Sequence, residues 1–527
     1  MNQVVHLRYP LHDVRAGSGV LSAALSLFGA ADPVQLLISP IDGSPSRDQI
    51  DAFRRLRGEL TLPYGPPPET RIVDGPTAEA ATALVRVDAT GDPVRDAQAI
   101  LALGSVGRHF GSAYGVAGSR LRGAPHLVRT ELDAAFRHRQ AHPRRARDGR
   151  VRIAVVTQRV QVWGAVSSIV LSGMRSDDVE LDLVLVEDHL GAYRRHATDE
   201  FAAFCSSRDI TLRDEGWLRL HLEEIDVVLV PDPYITPGGT SPGLSLREVA
   251  DRGIRLVLSP YAQDLSGDVR VRSLMHNLAF HNIAWRIFAP SPGAKDVYAR
   301  TCTAGGEHVR YVGNPKREHL LVDEAATPAA AELRRRLGTR SVILWNPHFV
   351  GDDGRATFAT MAEPILAWFG KHPSHGLIVR PHPRLFADYE RAGHGDTIAS
   401  FRSVCRSMPN VLLDESIDAA AAMLAADAMI SDLSSLMAEY HALGRPIGLL
   451  RPTPELALNE EDRDCLDAST MIDDARGLAR FLERVRATKP TSRDIAAEGH
   501  QDLGAGARII ETIVREYRLE AGAHRRR

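Results

Sequence analysis

The chain has 527 residues, 44% hydrophobic and 25% charged, which is enough for roughly three to four domains with buried cores. Its formal net charge of −3 creates no field that would attract nucleic acid or a polyacidic substrate, which argues against both partner classes. The first twenty residues lack the basic start and apolar core of a signal peptide, and no later run reaches the roughly 18 apolar residues of a membrane span. We therefore expect a cytoplasmic protein whose four widely spaced cysteines are reduced thiols.

Residues 1–148 contain short apolar runs such as VQLLISPI, which Gly and Pro interrupt, and no chemical motif. We predict a small α/β domain of unknown role here. It ends in the basic segment 137–150, RHRQAHPRRARDGR, which holds six Arg and little apolar surface. A solvated linker is the simplest interpretation, and contact with anionic lipid headgroups or an anionic polymer is the alternative.

Residues 149–325 alternate short β-branched runs with stretches of helical length. Near-continuous apolar runs are typical of strands buried on both faces of a parallel sheet. The pattern predicts a first Rossmann-like domain whose strands lie at 151–157, 181–186, 225–230, 254–258 and 309–313.

Residues 326–527 repeat this alternation and predict a second Rossmann-like domain. This range begins with a connecting helix that ends at Gly338 and closes with two helical stretches, ARGLARFLERVRATKP and GARIIETIVREYRLE. The fold class is therefore α/β, with two tandem Rossmann-like domains, an additional N-terminal α/β domain and C-terminal helices. The predicted strands of this second domain lie at 342–347, 376–380, 410–414, 427–431 and 446–450.

The stretch ISDLSSLMAEYHALG joins a predicted strand directly to a predicted helix. Its polar residues are Ser431, Asp432, Ser434 and Ser435. Free N–H groups and the positive end of the helix dipole attract phosphate at such a place. Plain capping of the helix by Asp432 or Ser434 explains the same residues.

A second stretch, GLIVRPHPRLF, ends another buried strand with Arg380, His382 and Arg384. The two intervening prolines restrict the backbone, so an imidazole and two guanidinium groups are held at the strand end. These positively charged side chains, together with a helix N-terminus that favours anions, predict a diphosphate site. Since parallel sheets bind ligands beyond the carboxyl ends of their strands, we expect this site in a cleft between the two domains.

The segments RPHPRL and SDLSSLMAEYHALGRPI resemble the CDP-glycerol glycerophosphotransferase family of teichoic-acid and capsule polymer enzymes, over about residues 150–450. The resemblance implies a GT-B fold in which these segments frame the diphosphate of the donor. The earlier stretch VVTQRVQVWGAVSSIVLSGM resembles the family's first strand and Trp-containing loop, which implies an acceptor-side role for Trp163. Leu433 stands where the family motif has an aromatic residue, and Ala438 with Glu439 replaces the usual Phe-Asp.

The general base departs most from the family pattern. Many members carry a Trp-His-Gly-Thr segment with the base His, whereas this chain has SPYAQDLSG at 259–267. Asp264 stands at about that place, and Tyr261 and Gln263 are its acceptor-side neighbours; Asp264 as an ordinary turn residue is an equally good explanation. His348, at the end of a predicted strand of the second domain, is another candidate catalytic residue, beside His382.

Other histidines and carboxylates are interpreted structurally. We expect His276 and His281 to pack in the interior, and His372 and His375 lack a third metal ligand, so we predict no metal site. We also predict no cofactor, although a divalent cation accompanying the donor diphosphate is left open. Asp352 and Asp353 are the candidates for holding it, although a Gly-flanked turn is the better explanation of both residues.

The leading functional hypothesis is an enzyme that transfers a glycerol or ribitol phosphate from a CDP-activated donor to a hydroxyl acceptor. Its product would be a cell-wall or capsular polymer or a glycoconjugate, with an acceptor that is lipid-linked or polymeric at the inner face of the membrane. A glycosyltransferase that uses a nucleotide-sugar is the nearest alternative, because the same two-domain cleft serves both reactions. A catalytically silent module that binds nucleotide or polymer is the third.

Overall fold

The computed structural model describes the chain in separate stretches. They are residues 3–9, 11, 34–40, 46–59, 69–72, 83–86, 149–158, 160–186, 197–233, 249, 252–267, 269–276, 280–281, 284–302, 306–322, 326–338, 341–349, 355–451, 458–459, 463–487 and 501–523. Of the basic segment 137–150, only the last two residues are described, and both are exposed. Asp352 and Asp353 lie outside the described residues.

The chain forms two compact units. The first contains residues 1–141, 269–285 and 296–309, and the second contains 142–268, 286–295 and 310–527. Both predicted Rossmann-like segments have most of their residues in the second unit. The domain boundaries predicted at 148 and 325 stay predictions.

The N-terminal sheet has four parallel strands in the order β3-β2-β1-β4. Helix α1 (Arg47–Glu59) begins with a reciprocal capping box, in which Gln49 N–H donates to Ser46 Oγ and Ser46 N–H donates to Gln49 Oε1. An N-terminal α/β fold is thereby confirmed. The strands are β1 (Gln3–Tyr9), β2 (Val34–Pro40), β3 (Glu69–Ile72) and β4 (Ala83–Arg86).

A seven-stranded sheet follows, in the order β11-β10-β9-β8-β5-β6-β7. Its strands are β5 (Val151–Thr157), β6 (Val179–Leu185), β7 (Leu212–Asp214), β8 (Val227–Val230), β9 (Arg255–Leu258), β10 (Arg286–Phe288) and β11 (Val309–Arg310). The helices of this segment are α2 (Ser167–Met174), α3 (Ala197–Ser206), α4 (Glu215–His221), α5 (Val269–His276), α6 (Pro292–Thr301) and α7 (Pro315–Val322). A 3₁₀ helix, Val160–Ala165, follows β5.

The six-stranded sheet is parallel and has the order β14-β13-β12-β15-β16-β17. Its strands are β12 (Ser341–Asn346), β13 (His375–Val379), β14 (Val411–Leu413), β15 (Ala428–Ser431), β16 (Ile447–Leu450) and β17 (Ser469–Ile472). The helices are α8 (Ala326–Leu337), α9 (Phe358–Lys371), α10 (Leu385–Arg391), α11 (Gly395–Ser407), α12 (Ala420–Ala425), α13 (Ser435–His441), α14 (Asp464–Asp467), α15 (Ala475–Ala487) and α16 (Ala505–Ala523).

These two sheets confirm the predicted α/β fold with tandem Rossmann-like, GT-B-like halves. Each has its first strand next to its fourth, the order of a doubly wound sheet. Separate apolar clusters cover the six-stranded sheet, one built around Leu344 and Met437 and the other around Trp345 and Phe369. Helix α8 ends as predicted at Gly338, whose φ of +74° is readily adopted only without a Cβ.

The last helix, α16, packs on the seven-stranded sheet although it follows the six-stranded sheet in sequence. Tyr517 Oη donates to Asp226 Oδ1 at 2.8 Å, and Glu516 forms ion pairs with Arg286 and Arg310. Gly506 allows this close approach, because a Cβ there would lie 2.3 Å from the carbonyl oxygen of Ser168. Among the described residues, no helix combines the length and apolar character needed to cross a bilayer.

Candidate active site

The candidate site lies at the carboxyl ends of β12, β13 and β15. Since β12 pairs with both other strands, the loops that follow all three emerge at one edge of the sheet. This edge includes the switch point between β12 and β15, where doubly wound sheets bind ligands. The segments 346–348, 380–384 and 431–435 therefore converge there, as the sequence predicts.

A buried amide joins the three strand ends. Asn346, the last residue of β12, donates from Nδ2 to the carbonyl oxygen of Arg380 at 2.9 Å. Its Oδ1 accepts a hydrogen bond from Ser434 Oγ at 2.9 Å and another from Ser431 Oγ at 3.3 Å. Sequence reasoning missed Asn346, although an amide at the end of the apolar run VILW was a usable signal.

The serine loop is not simply a helix cap. Ser434 stands at the N-cap of α13 with an extended backbone, but its hydroxyl donates to Asn346 and makes no capping hydrogen bond. Ser435, by contrast, is half-buried, and its side chain makes no hydrogen bond within the described part of the chain. Of the two hydroxyls, that of Ser435 is therefore the better placed to meet a ligand.

Asp432 is fully buried, and its carboxylate accepts hydrogen bonds from the segments that follow β12. Its Oδ2 accepts hydrogen bonds from the N–H groups of His348 at 2.7 Å and Thr357 at 3.2 Å, and Oδ1 accepts one from Thr357 Oγ1. Burial raises the pKa of Asp432 to about 6, against the opposing effect of these hydrogen bonds. The carboxyl group therefore fixes the backbone of His348 rather than capping α13.

The rings of His348 and His382 lie side by side, with centroids 4.9 Å apart. Nδ1 of His348 is 3.1 Å from the carbonyl oxygen of Phe349, which only accepts, so neutral His348 has its proton on Nδ1 and an unprotonated Nε2. Nδ1 of His382 accepts a hydrogen bond from the N–H of Arg384 at 3.1 Å, so neutral His382 has its proton on Nε2. One ring thus presents a base and the other a donor.

The two arginines of the RPHPR segment have acidic partners. The guanidinium of Arg380 is nine-tenths buried, pairs with Asp414 and donates from Nη2 to the carbonyl oxygen of Ser416 at 2.9 Å. Arg384 lies over the ring of Phe349, 4.1 Å from its centroid, and pairs with Asp388 at 3.2 Å. Arg380 therefore orders the loop after β14, whereas Arg384 lies beside the histidine pair.

Two of the predicted acceptor-side residues are packed in the interior. Trp163 is 3% exposed, and its indole packs edge-on against Phe201 and Phe204. Gln263 is also buried and accepts a hydrogen bond at Oε1 from Arg317 Nη2 at 3.0 Å. Tyr261 is half-buried. An acceptor could reach Tyr261 more readily than the other two.

Asp264 has the geometry of a turn residue. Its side chain is 6% exposed, and Oδ1 accepts a hydrogen bond from Ser266 N–H at 2.9 Å, two residues on. Its carbonyl oxygen accepts a hydrogen bond from Asn459 Nδ2 at 2.7 Å, and Ser266 forms an isolated bridge with Leu458. The loop 259–267 is thereby attached to the chain that follows β16.

The four histidines that the sequence analysis interprets structurally lie in packed surroundings. His276 and His281 are buried, and burial lowers the pKa of His276 to about 4 and that of His281 well below its ordinary value. His372 stacks on Trp368 at 4.0 Å, and His375 is buried beside it. No group of three metal-ligating side chains occurs among the described residues, and the predicted lack of a metal stays a prediction.

Helix α7 contributes charged residues that sequence reasoning did not identify. Lys316 Nζ lies 2.6 Å from Glu439 on α13, and His319 Nε2 lies 2.7 Å from Asp418. Burial raises the pKa of Asp418, but contact with His319 outweighs it and the pKa falls to about 2. Glu318 accepts hydrogen bonds from Gly504 and Gly506 at the start of α16. Helix α7 therefore connects the elements of both large sheets.

Residues 274–462 match the family model described as CDP-Glycerol:Poly(glycerophosphate) glycerophosphotransferase. This match confirms the resemblance predicted from the two C-terminal motifs, both of which lie inside it, and it indicates a transferase. A search of curated proteins found no significant match.

Solved structures with similar folds include two kinds of protein. UDP-GlcNAc 2-epimerase from Neisseria meningitidis, bound to UDP-GlcNAc, aligns with 15% identity over 69% of this chain and 100% of its own, with a TM-score of 0.47. A variant of the wall teichoic acid polymerase TagF soaked with CDPG aligns with 11% identity over 75% of this chain and 96% of its own, with a TM-score of 0.48.

Proposed function

We propose that the protein transfers a glycerol or ribitol phosphate from a CDP-activated donor to a hydroxyl acceptor. The observation that carries the proposal is that the family match at 274–462 spans every segment converging at the switch point of the six-stranded sheet. The product would be a cell-wall or capsular polymer or a glycoconjugate. The acceptor would be lipid-linked or polymeric and would be met at the inner face of the membrane.

In the proposed reaction, the acceptor hydroxyl oxygen attacks the phosphorus that bears the polyol. The bond from this phosphorus to the bridging oxygen breaks, and CMP leaves with the electron pair. Nε2 of His348 takes the acceptor's proton, and Nε2–H of His382 donates a hydrogen bond to the departing phosphate. Ser435 and the first N–H groups of α13 bind the charged oxygens, so positioning and charge stabilisation supply most of the catalysis.

His348 is preferred to Asp264 as the base for a geometric reason. His348 is half-buried at the open edge of the sheet, and its backbone is fixed by Asp432. The carboxylate of Asp264 is buried and accepts a backbone hydrogen bond in its own turn. Proton transfer requires the base within hydrogen-bond reach of the acceptor, which favours the more exposed group.

The test is a donor screen on the purified full-length chain. CDP-glycerol, CDP-ribitol, UDP-GlcNAc and UDP-glucose are first compared by thermal shift, since a ligand at a hundred times its Kd stabilises by about 2.7 kcal/mol. Release of CMP or UDP is then followed with a polyol-phosphate oligomer as acceptor. CMP release that depends on acceptor supports the proposal, and UDP release from a nucleotide-sugar would replace it with the glycosyltransferase alternative. Binding without turnover of any donor would leave the nucleotide-binding module.

A further inference from the structure

The motif residues alone do not supply the positive charge that the diphosphate of the proposed donor requires. A CDP-polyol carries two negative charges on its diphosphate, and these must be matched by cations or N–H donors once water is displaced. Arg380 is turned to Asp414, and Arg384 pairs with Asp388. Asp432 adds a carboxyl group beneath the serine loop.

A third guanidinium approaches the serine loop from the segment that precedes α9. Nη1 of Arg355 lies 3.5 Å from the carbonyl oxygen of Leu433, between Asp432 and Ser434 in the chain. The side chain is partly exposed, and its charge acts to lower the pKa of Asp432, which places it near the buried carboxyl group. A guanidinium has five N–H donors in a planar fork, so contact with a backbone carbonyl is compatible with binding a phosphate oxygen.

We infer that Arg355 binds the diphosphate of the nucleotide donor, an inference that rests on the proposed function and deepens it. Arg355 is outside both motifs that carry the family resemblance, and its place in sequence, directly after the residues GDDG, gives no signal of this role. Its guanidinium reaches the loop of Ser434 and Ser435 at the carbonyl oxygen of Leu433. The bound diphosphate thus lies between this guanidinium and the start of α13.

The experiment compares Arg355→Ala and Arg355→Lys with the wild type by isothermal titration of CDP-glycerol, CDP and cytidine. Arg355→Ala should weaken CDP-glycerol and CDP at least about tenfold, the effect of losing a charge-assisted hydrogen bond. Cytidine has no phosphate, so its affinity should not change. Arg355→Lys keeps the positive charge but loses the planar fork of N–H donors. Its affinity for CDP-glycerol should therefore lie between those of the wild type and Arg355→Ala. Arg406→Ala is the matched control, because it removes an exposed arginine from α11.

The outcomes separate this inference from the proposed function. Equal affinity of the wild type and Arg355→Ala for CDP-glycerol, with His382→Ala weakened, overturns the role of Arg355 alone. Wild-type binding of UDP-GlcNAc in place of CDP-glycerol, weakened in the same way by Arg355→Ala, supports the inference and overturns the proposed donor. Wild-type binding of neither nucleotide overturns both. Should Arg355→Ala fail to melt cooperatively, Arg355→Lys decides, and wild-type affinity in that variant overturns the inference.

Discussion

The carboxyl ends of the two Rossmann-like sheets have the same topology but expose different chemistry. At the six-stranded sheet, His348, His382 and Ser435 are partly exposed. They lie above a buried polar layer formed by Asn346 and Asp432, whose hydrogen bonds fix the loops. At the seven-stranded sheet, the described loop after β9 has the polar side chains of Gln263, Asp264 and Ser266 buried.

The loop 259–267, which follows β9 of the seven-stranded sheet, makes packing and hydrogen-bond contacts with the six-stranded half of the protein. Leu265 packs in the apolar cluster of the six-stranded sheet, and Asp264 and Ser266 attach the loop to Leu458 and Asn459. A loop that connects two sheets must be rigid and buried, whereas a reacting group must be reachable by substrate. This contrast supports the proposal that the reacting groups lie on the six-stranded sheet, while the loop 259–267 links the two sheets.

The largest expected effect is on turnover, and it could break this comparison. His348→Ala should lower the rate of CMP release by about 10²–10⁴ because the general base is lost, while nucleotide affinity is retained. Asp264→Asn should keep the local turn of the backbone, and its rate of CMP release should equal that of the wild type. An inactive Asp264→Asn with a normal melting temperature, beside an active His348→Ala, would move the base to the seven-stranded sheet.

The next effect concerns the buried ion pair of α7. Glu439→Gln leaves the ammonium group of Lys316 buried without its carboxylate, and the free energy of unfolding should fall by about 3–5 kcal/mol. Urea denaturation of the variant measures this loss. Glu332→Gln, at the fully exposed pair with Arg335, is the control and should change stability little. Equal losses in both variants would show that the Lys316 contact contributes no more than a surface pair.

The pH dependence of stability tests the buried layer under the histidines. The pKa of Asp432 is about 6 in the folded protein and 3.8 as its ordinary value, so the folded state binds more protons between these pH values. Its favourable contribution is complete below 3.8 and is lost as pH rises through about 6, a change on the order of 3 kcal/mol. Denaturation from pH 4.5 to 7.5 should show this decline in the wild type and a flatter curve in Asp432→Asn.

Asp418 serves as a reference, because its pKa is shifted in the opposite direction and its contribution to stability therefore depends on pH with the opposite sign. Its pKa is about 2 in the folded protein, so its contribution is present above its ordinary value of 3.8 and is lost as pH falls through about 2. It therefore stays constant over the range used for Asp432. A wild type whose stability changes no more from pH 4.5 to 7.5 than that of Asp432→Asn would show that the carboxyl group is ionised throughout.

The smallest effect separates the two serines. Ser435→Ala should weaken CDP-glycerol binding about tenfold without changing stability, whereas Ser434→Ala should lower the free energy of unfolding by about 1 kcal/mol through the lost hydrogen bond to Asn346. The double variant should weaken nucleotide affinity by a few kcal/mol at most. Titration and urea denaturation of the same samples measure both quantities. Unchanged affinity in a folded double variant would return these serines to a purely structural role.

The apolar runs predicted much of the fold, because strands buried on both faces consist mainly of apolar residues. The predicted strands of both large sheets are all present, with ends shifted by a few residues. The strands that escaped prediction are short and partly polar, and they form only because a neighbouring strand offers hydrogen bonds. They are β7 (LRD), β10 (RIF) and β17 (STMI).

At the site, residue types and strand ends were sufficient to bring His348, His382 and the serine loop to one edge, because parallel strands of one sheet end on the same side. The directions of the side chains could not be predicted from the sequence. Whether Ser434 caps its helix or donates to Asn346 depends on a residue 88 positions away. Likewise, Arg380 faces Asp414, 34 positions on, rather than a ligand. Such choices depend on which partners packing brings within about 3 Å, and only the tertiary structure decides them.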